Sequence, residues 1–241
     1  MFTSASPLTL PDSPFFTAAG VRADTLLLGW CQFDQQHWQA ELHQRWQLPL
    51  PVALSHAVVK RKSEHLASRW LARELLAHCG VADFVLYNAP DRSPCWPDGI
   101  QASLSHSHNQ VVMAATREPL SVGIDVEQVM SDDTARETAE MLMNAQERAL
   151  LAQLALPFAR GATLLFSLKE SVYKALWPQL HQPMDFLQAE LCEVELTTGR
   201  AVLRLTEDFA RGFARHLAVQ ARFCWDEQRI TTLVTHPFFR Q

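Results

Sequence analysis

The chain has 241 residues, 48% of them hydrophobic and 20% charged, a globular composition with the length for one large domain or two small ones. Its net charge of −5 gives the molecule no overall basic field, which argues against nucleic acid or an anionic membrane surface as partner. The five cysteines, Cys31, Cys79, Cys95, Cys192 and Cys224, are scattered and form no CxxC, so free thiols in a reducing cytosol are expected and a disulfide framework or thiolate zinc site is not.

Residues 1–20, rich in Pro, Ser and Thr, read as an irregular arm, without the basic start and apolar run of a signal peptide. No apolar stretch approaches the ~18 residues of a membrane span, so a cytoplasmic protein is expected. A first strand is predicted from Thr25 to Phe33. After Pro49 and Pro51 the pattern turns helical from about Ser55 to Cys79, with Val58, Leu66, Trp70, Leu71 and Leu75 apolar and Gly80 as a stop. Asp83 to Tyr87 suggests another strand. Residues 88–100 hold Pro90, Pro94 and Pro97 and suggest an extended loop.

Strands are predicted at Ala102–Ser105, Val111–Thr116 and Ser121–Glu127. A helical region follows from Ser131 to about Leu154, with a break near Asn144, and another from Pro157 to about Trp177. Four strands close the chain: Ala189–Glu195, Ala201–Leu205, Leu217–Trp225 and Ile230–Thr235. This order is α+β and lacks the βαβ alternation of a doubly wound sheet. Neither GxGxxG nor a Walker A loop is present, which disfavours a dinucleotide or P-loop fold.

Chemistry concentrates in four places. In Val122-Gly123-Ile124-Asp125-Val126-Glu127 the apolar residues alternate with Gly123, Asp125 and Glu127. Two carboxylates about 6–7 Å apart on one strand face suit a hard cation such as Mg²⁺, with Gly123 leaving room for a ligand. The same pattern equally suits a half-exposed strand with two solvated acids. In Phe166-Ser167-Leu168-Lys169-Glu170-Ser171-Val172-Tyr173-Lys174, Glu170 and Lys174 lie one helical turn apart, either completing a phosphate-bound metal site or forming a surface ion pair.

Ser103-Leu104-Ser105-His106-Ser107-His108 could contact phosphate, present a His-x-His pair to zinc, or simply be hydrogen-bonded at a strand end. Lys60, Arg61, Lys62, Arg69 and Arg73 lie on the first long helix, with Arg61, Arg69 and Arg73 within about 80° of one another, and Arg92 sits in the proline-rich loop. Such a cluster suits a phosphate-rich ligand, or forms a solvated helix face.

GIDVE at 123–127 and FSLKESVYKAL at 166–176, about forty residues apart, resemble the two signature motifs of 4′-phosphopantetheinyl transferases, G-[IV]-D-[IV]-E and [WF]-[CST]-x-K-E-[AS]-x-x-K-A. SLSHS, DRSPCWPDG and KRKSEHLASRWLARELL upstream resemble further elements of the same family, in order, from about residue 56 to 177. The resemblance is to the long, two-lobed (Sfp-type) group, and within it to enterobactin-synthase-type and broad-specificity pseudomonad members.

The resemblance implies a fold of two similar α+β halves related by pseudo-two-fold symmetry, here residues 1–120 and 121–241, with coenzyme A between them. It implies Mg²⁺ on Asp125, Glu127 and Glu170, phosphate contacts from Lys169, Lys174, His106 and Ser105, and the adenosine 3′-phosphate on Arg92 with Arg61 or Arg69. The implied reaction moves 4′-phosphopantetheine from coenzyme A to a serine of an acyl or peptidyl carrier protein, in siderophore or fatty-acid synthesis. Glu170 is the candidate base, a role that competes with metal ligation. A monomer is expected, with carrier contact through exposed residues such as Met141 and Met143. A non-catalytic carrier or coenzyme A binding module and a Mg²⁺-dependent phosphohydrolase remain alternatives.

Overall fold

The computed structural model describes residues 5–24 and 26–238. These divide between Glu118 and Pro119 into two units, each with a five-stranded antiparallel sheet. Both units are mixed α+β, as the element order predicts.

The N-terminal unit comprises β1 (Ser6–Pro7), β2 (Phe16–Arg22), β3 (Leu27–Phe33), α1 (Glu41–Arg45), α2 (Val59–His78), β4 (Tyr87–Asn88), β5 (Pro94–Cys95), β6 (Gln101–Ser107) and β7 (Gln110–Thr116). Its sheet order is β1-β2-β3-β7-β6. Helix α2 packs over β3 and β7 because Leu66, Trp70, Leu71 and Leu75 recur at helical spacing and are all buried. It ends where Cys79 leaves helical geometry and Gly80 takes φ +78°, a left-handed conformation that costs glycine little.

Two sequence expectations are corrected here. The N-terminal arm is not irregular throughout: it supplies β1 and β2. Phe15 and Phe16 bury against Phe33, Trp46 and Trp70, and the abundance of Pro and Ser around them hides that strand signal. The strand expected over Asp83–Tyr87 is reduced to the two-residue β4: Asp83 has φ +54°, outside the extended region, and pairing begins only at Tyr87, opposite Cys95. The expected start of the β3 strand at Thr25 lies outside the described residues.

The C-terminal unit comprises β8 (Leu120–Gln128), α3 (Asp132–Leu142), α4 (Ala145–Ala152), α5 (Phe158–Leu180), β9 (Ala189–Glu195), β10 (Arg200–Leu205), β11 (Ala218–Trp225) and β12 (Arg229–Pro237). The sheet order is β8-β12-β11-β10-β9. The expected break at Asn144 is a capping box: Asn144 Oδ1 accepts from the Glu147 amide at 2.8 Å, and Glu147 Oε2 accepts from the Asn144 amide at 2.9 Å. Met143, expected at the surface, is buried in the core at 4% exposure, whereas Met141 is 54% exposed.

Helix α5 lies across β8 and β12 at unusually short range. A Cβ on Gly123 would stand 1.9 Å from the Ser171 carbonyl oxygen and 2.6 Å from the Ala175 amide nitrogen. Gly123 therefore makes room for the helix backbone and not, as expected, for a ligand. The small side chains Ser167, Ser171 and Ala175 line the facing side of α5 and are all buried. Gly123→Ala should therefore lower the denaturant midpoint, at a cost of about 3 kcal/mol or more, because backbone atoms cannot yield as a side chain can.

A second test concerns α2. His65 is buried, its Nδ1 has no partner, and its pKa is pushed down from 6.5 to about 3 by burial first, then by Arg69, His43 and Arg61. Unfolding lets this imidazole take a proton, so its share of stability is whole above pH 6.5 and falls progressively towards pH 3. Urea midpoints compared at pH 7.5 and pH 5 should fall less for His65→Leu than for the wild-type protein.

Candidate functional site

The strand alternation of β8 aims Gly123, Asp125 and Glu127 at α5, while Val122, Ile124 and Val126 point to the opposite face. Asp125 is 1% exposed, and each of its carboxylate oxygens has a donor. Lys174 Nζ stands 2.6 Å from Oδ1, and Ser167 Oγ donates to Oδ2 at 2.8 Å. Ser167, Ser171 and Lys174 recur at i, i+4 and i+7, so one face of α5 presents all three to the sheet.

Glu170, half-buried beside this pair, has its pKa raised by burial, opposed by Lys174 and reinforced by Asp125. Glu170 and Tyr173 open on a cavity of about 170 Å³ closed by Met184, Asp185 and Phe186. Glu127 lies two residues along β8 from Asp125, opposite Ile230 of β12. Asp125, Glu170 and Lys174 thus form one electrostatic group.

Among the described residues no three His, Cys, Asp or Glu side chains stand close enough to form a ready metal cage. The donor chemistry nevertheless fits Mg²⁺. The oxygens are hard carboxylate donors, and a cation, the Lys174 ammonium, already sits against Asp125 Oδ1. Mg²⁺ takes one or two carboxylates and fills its octahedron with phosphate and water oxygens, so a complete protein cage is not required.

Lys169, expected beside the phosphates, is not brought to this group. It is 3% exposed and its Nζ lies 2.8 Å from Glu147 Oε1, 3.0 Å from Oε2 and 2.8 Å from the Leu142 carbonyl oxygen. Lys169 and Glu170 both line the cavity closed by Met184, Asp185 and Phe186, but the Lys169 ammonium is held at its Glu147 side and Glu170 lies towards Lys174 and Asp125. Burial pulls the Lys169 pKa down and the attraction of Glu147 pushes it back up. Glu147 also accepts from the Asn144 and Leu191 amides, at 2.9 and 2.8 Å. The pair ties α3, α4, α5 and β9 together. Glu147 was not anticipated as Lys169's partner, although the spacing Asn144-x-x-Glu147 marks it as a helix-start residue.

In the N-terminal unit, His106 on β6 faces α2, where its Nε2 lies 3.1 Å from Arg61 Nη1 and its Nδ1 3.7 Å from Glu64 Oε2. Ser105, expected nearby, is the adjacent strand residue and points to the other face of the sheet. His108 occupies the β6–β7 turn with φ +54°, which removes it from the strand face of His106 and breaks the His-x-His pair. Arg69 donates to Asn88 Oδ1, and Asn88 Nδ2 donates to the Arg92 carbonyl oxygen at 2.7 Å, so the β4–β5 loop that carries Arg92 is fastened to α2. Burial, then Arg61, pushes the Arg69 pKa down to about 10. Arg73 is spent on structure, donating to the Trp46 carbonyl oxygen at 2.6 Å.

Comparison with known proteins gives the family. A family model described as the 4′-phosphopantetheinyl transferase N-terminal domain matches residues 50–116, and one described as the 4′-phosphopantetheinyl transferase superfamily matches residues 121–233. Enterobactin synthase component D of Salmonella typhimurium is 36% identical over 188 residues, 78% of this chain and 77% of that protein. The chain belongs to the 4′-phosphopantetheinyl transferase superfamily. Two further transferases of the superfamily align: Svp of Streptomyces mobaraensis, 33% identical over 63% of this chain and 62% of its own length, and PptT of Mycobacterium tuberculosis, 30% identical over 66% and 73%.

The buried Lys169–Glu147 pair makes a stability prediction. Lys169→Met leaves Glu147 charged and unpaired and should cost about 3–5 kcal/mol in urea unfolding. Lys169→Met/Glu147→Gln should recover part of that loss, because Gln carries no charge and its Oε1 can still accept from one of the Asn144 and Leu191 amides.

Proposed function

We propose that Asp125, Glu127 and Glu170 hold Mg²⁺ and that this group, with Lys174, carries the transfer chemistry of the chain. As a member of its superfamily the protein is an enzyme that moves 4′-phosphopantetheine from coenzyme A to a serine of a carrier protein. The observation that carries the site assignment is the buried Asp125 carboxylate, its one oxygen 2.6 Å from Lys174. A buried carboxylate and ammonium on a rigid strand and helix are costly to maintain, and such groups concentrate where chemistry needs them.

Chemically, the carrier serine Oγ attacks the β-phosphorus of coenzyme A, its bond to phosphorus forms, and the bond to 3′,5′-ADP breaks. Bound Mg²⁺ supplies charge stabilisation for phosphate oxygens. Glu170 is the carboxylate placed to take the serine proton, a role that competes with its hold on Mg²⁺. Lys174 contributes fixed positive charge beside Asp125 without reorganisation. Lys169 stays with Glu147 and holds α5 in place.

In the N-terminal unit we assign His106 and Arg61 to phosphate contact. Arg69 and Arg92, linked through Asn88, take the adenosine 3′-phosphate, where guanidinium groups offer bidentate donors. Ser105 would act only through its neighbours, being turned away from His106. The relatives named enterobactin synthase component D support a peptidyl carrier of siderophore synthesis as the acceptor. We place the enzyme in the cytoplasm as a monomer; among the described residues no helix is long and apolar enough to cross a membrane. The binding-module and phosphohydrolase readings gain no support from relatives that are named transferases.

The test is to incubate the protein with coenzyme A, Mg²⁺ and a panel of apo acyl and peptidyl carriers and to weigh the carriers. The expected result is a mass gain of one phosphopantetheine that chelation of the metal prevents. Asp125→Ala should reduce transfer by a factor of about 10² or more when assayed at a temperature where circular dichroism shows the variant folded, since the change also removes the partner of Lys174 and Ser167. Turnover by Asp125→Ala at the wild-type Mg²⁺ requirement would remove Asp125 from the metal.

A further inference from the structure

Three hydroxyl groups lie behind Asp125 on the side away from Lys174, and all are sealed from water: Ser167, Ser171 and Thr232 are 0% exposed. Thr232 is the direct cross-strand neighbour of Asp125, paired with it in the β8–β12 register. Ser167 and Ser171 descend on it from successive turns of α5.

Each hydroxyl has one proton to give, and the Asp125 carboxylate fixes where that of Ser167 goes. A carboxylate only accepts, so Ser167 Oγ donates to Asp125 Oδ2 at 2.8 Å. Thr232 Oγ1 donates to the Ser167 carbonyl oxygen at 2.8 Å and lies 2.9 Å from the Ser167 hydroxyl, so it holds residue 167 at two points. Ser171 Oγ lies 2.7 Å from Thr232 Oγ1 and 3.2 Å from the Thr232 carbonyl oxygen. Ser167 is thus held from behind by Thr232 while its own proton goes to Asp125 Oδ2, and the buried hydroxyls form one connected network.

We infer that Ser167 and Thr232 are positioning residues for Asp125: the network pins Oδ2 and so presents Oδ1 to the Mg²⁺ of the reading above, on which this inference rests. The torsion that swings an Asp carboxylate is soft, so without Ser167 only Lys174 on Oδ1 would set the plane of the carboxylate. With Oδ2 held inside the fold, Oδ1 alone is offered on the side of Lys174 and Glu170. Ser171 acts one step further back and contributes less.

The experiment uses the full-length protein and measures Mn²⁺ binding by electron paramagnetic resonance in the presence of coenzyme A and without carrier, so that no turnover occurs. Thr232→Val, which keeps the shape and loses the hydroxyl, should weaken Mn²⁺ binding about 10-fold or more, as removal of a group behind a metal ligand does. Thr232→Ser should bind like wild type, and Ser171→Ala should fall between the two. If Thr232→Val does not fold, Ser167→Ala is read in the same way.

Rescue by serine separates positioning from a general loss of packing, which serine, lacking the methyl group, would not repair. Asp125→Ala is the control. If it abolishes Mn²⁺ binding while Thr232→Val and Ser167→Ala bind normally, the positioning role is overturned and the metal reading stands. If Asp125→Ala itself binds Mn²⁺ normally, the metal reading is overturned and the positioning role with it.

Discussion

A carboxylate shut away from water is expensive unless its charge is answered at contact distance, and Asp125 is answered twice, by Lys174 on one oxygen and Ser167 on the other. Both partners stand on α5, so the strand residue is tolerable only while that helix lies against β8. The helix can lie there because position 123 has no side chain. Removal of a single Cβ thus brings the ammonium within 2.6 Å of the carboxylate.

Helix α5 divides its labour by angle. Lys169 turns into the protein and is locked by Glu147, while Glu170, one residue on, turns towards Asp125 and Lys174. The buried ion pair fixes the helix against α4 and β9, and a helix so fixed presents Glu170 and Lys174 without adjustment. Preorganisation of this kind is what transition-state stabilisation by fixed charges needs. The raised pKa of Glu170 is the local cost of the same arrangement, since the burial that strengthens its interactions also disfavours its charge.

The N-terminal unit uses polar groups differently. Its basic residues are restrained by neighbours that leave donors to spare: Glu64 lies between Arg61 and His106, and Asn88 links Arg69 to the Arg92 loop. Guanidinium groups held in a known direction lose less freedom when an anion arrives. Arg73, on the same side of α2 by sequence spacing, is diverted to the Trp46 carbonyl oxygen and shows that a shared helix face does not imply a shared ligand.

Strand alternation and helical periodicity were legible at nearly every element, since they depend only on which neighbours in the chain are apolar. The sequence by itself determined the α+β class, the glycine stop after α2, the break at Asn144 and the family, because GIDVE and FSLKESVYKAL are contiguous runs. It did not reveal β2, whose Phe16 is recognisable as a strand residue only once Trp46 and Trp70 close around it. Nor did it reveal that Gly123 yields space to a helix, that Lys169 belongs to Glu147, or that Thr232 stands behind Asp125. Those pairings join residues 22 to 107 positions apart, and only folding decides which of many equally spaced polar groups meet.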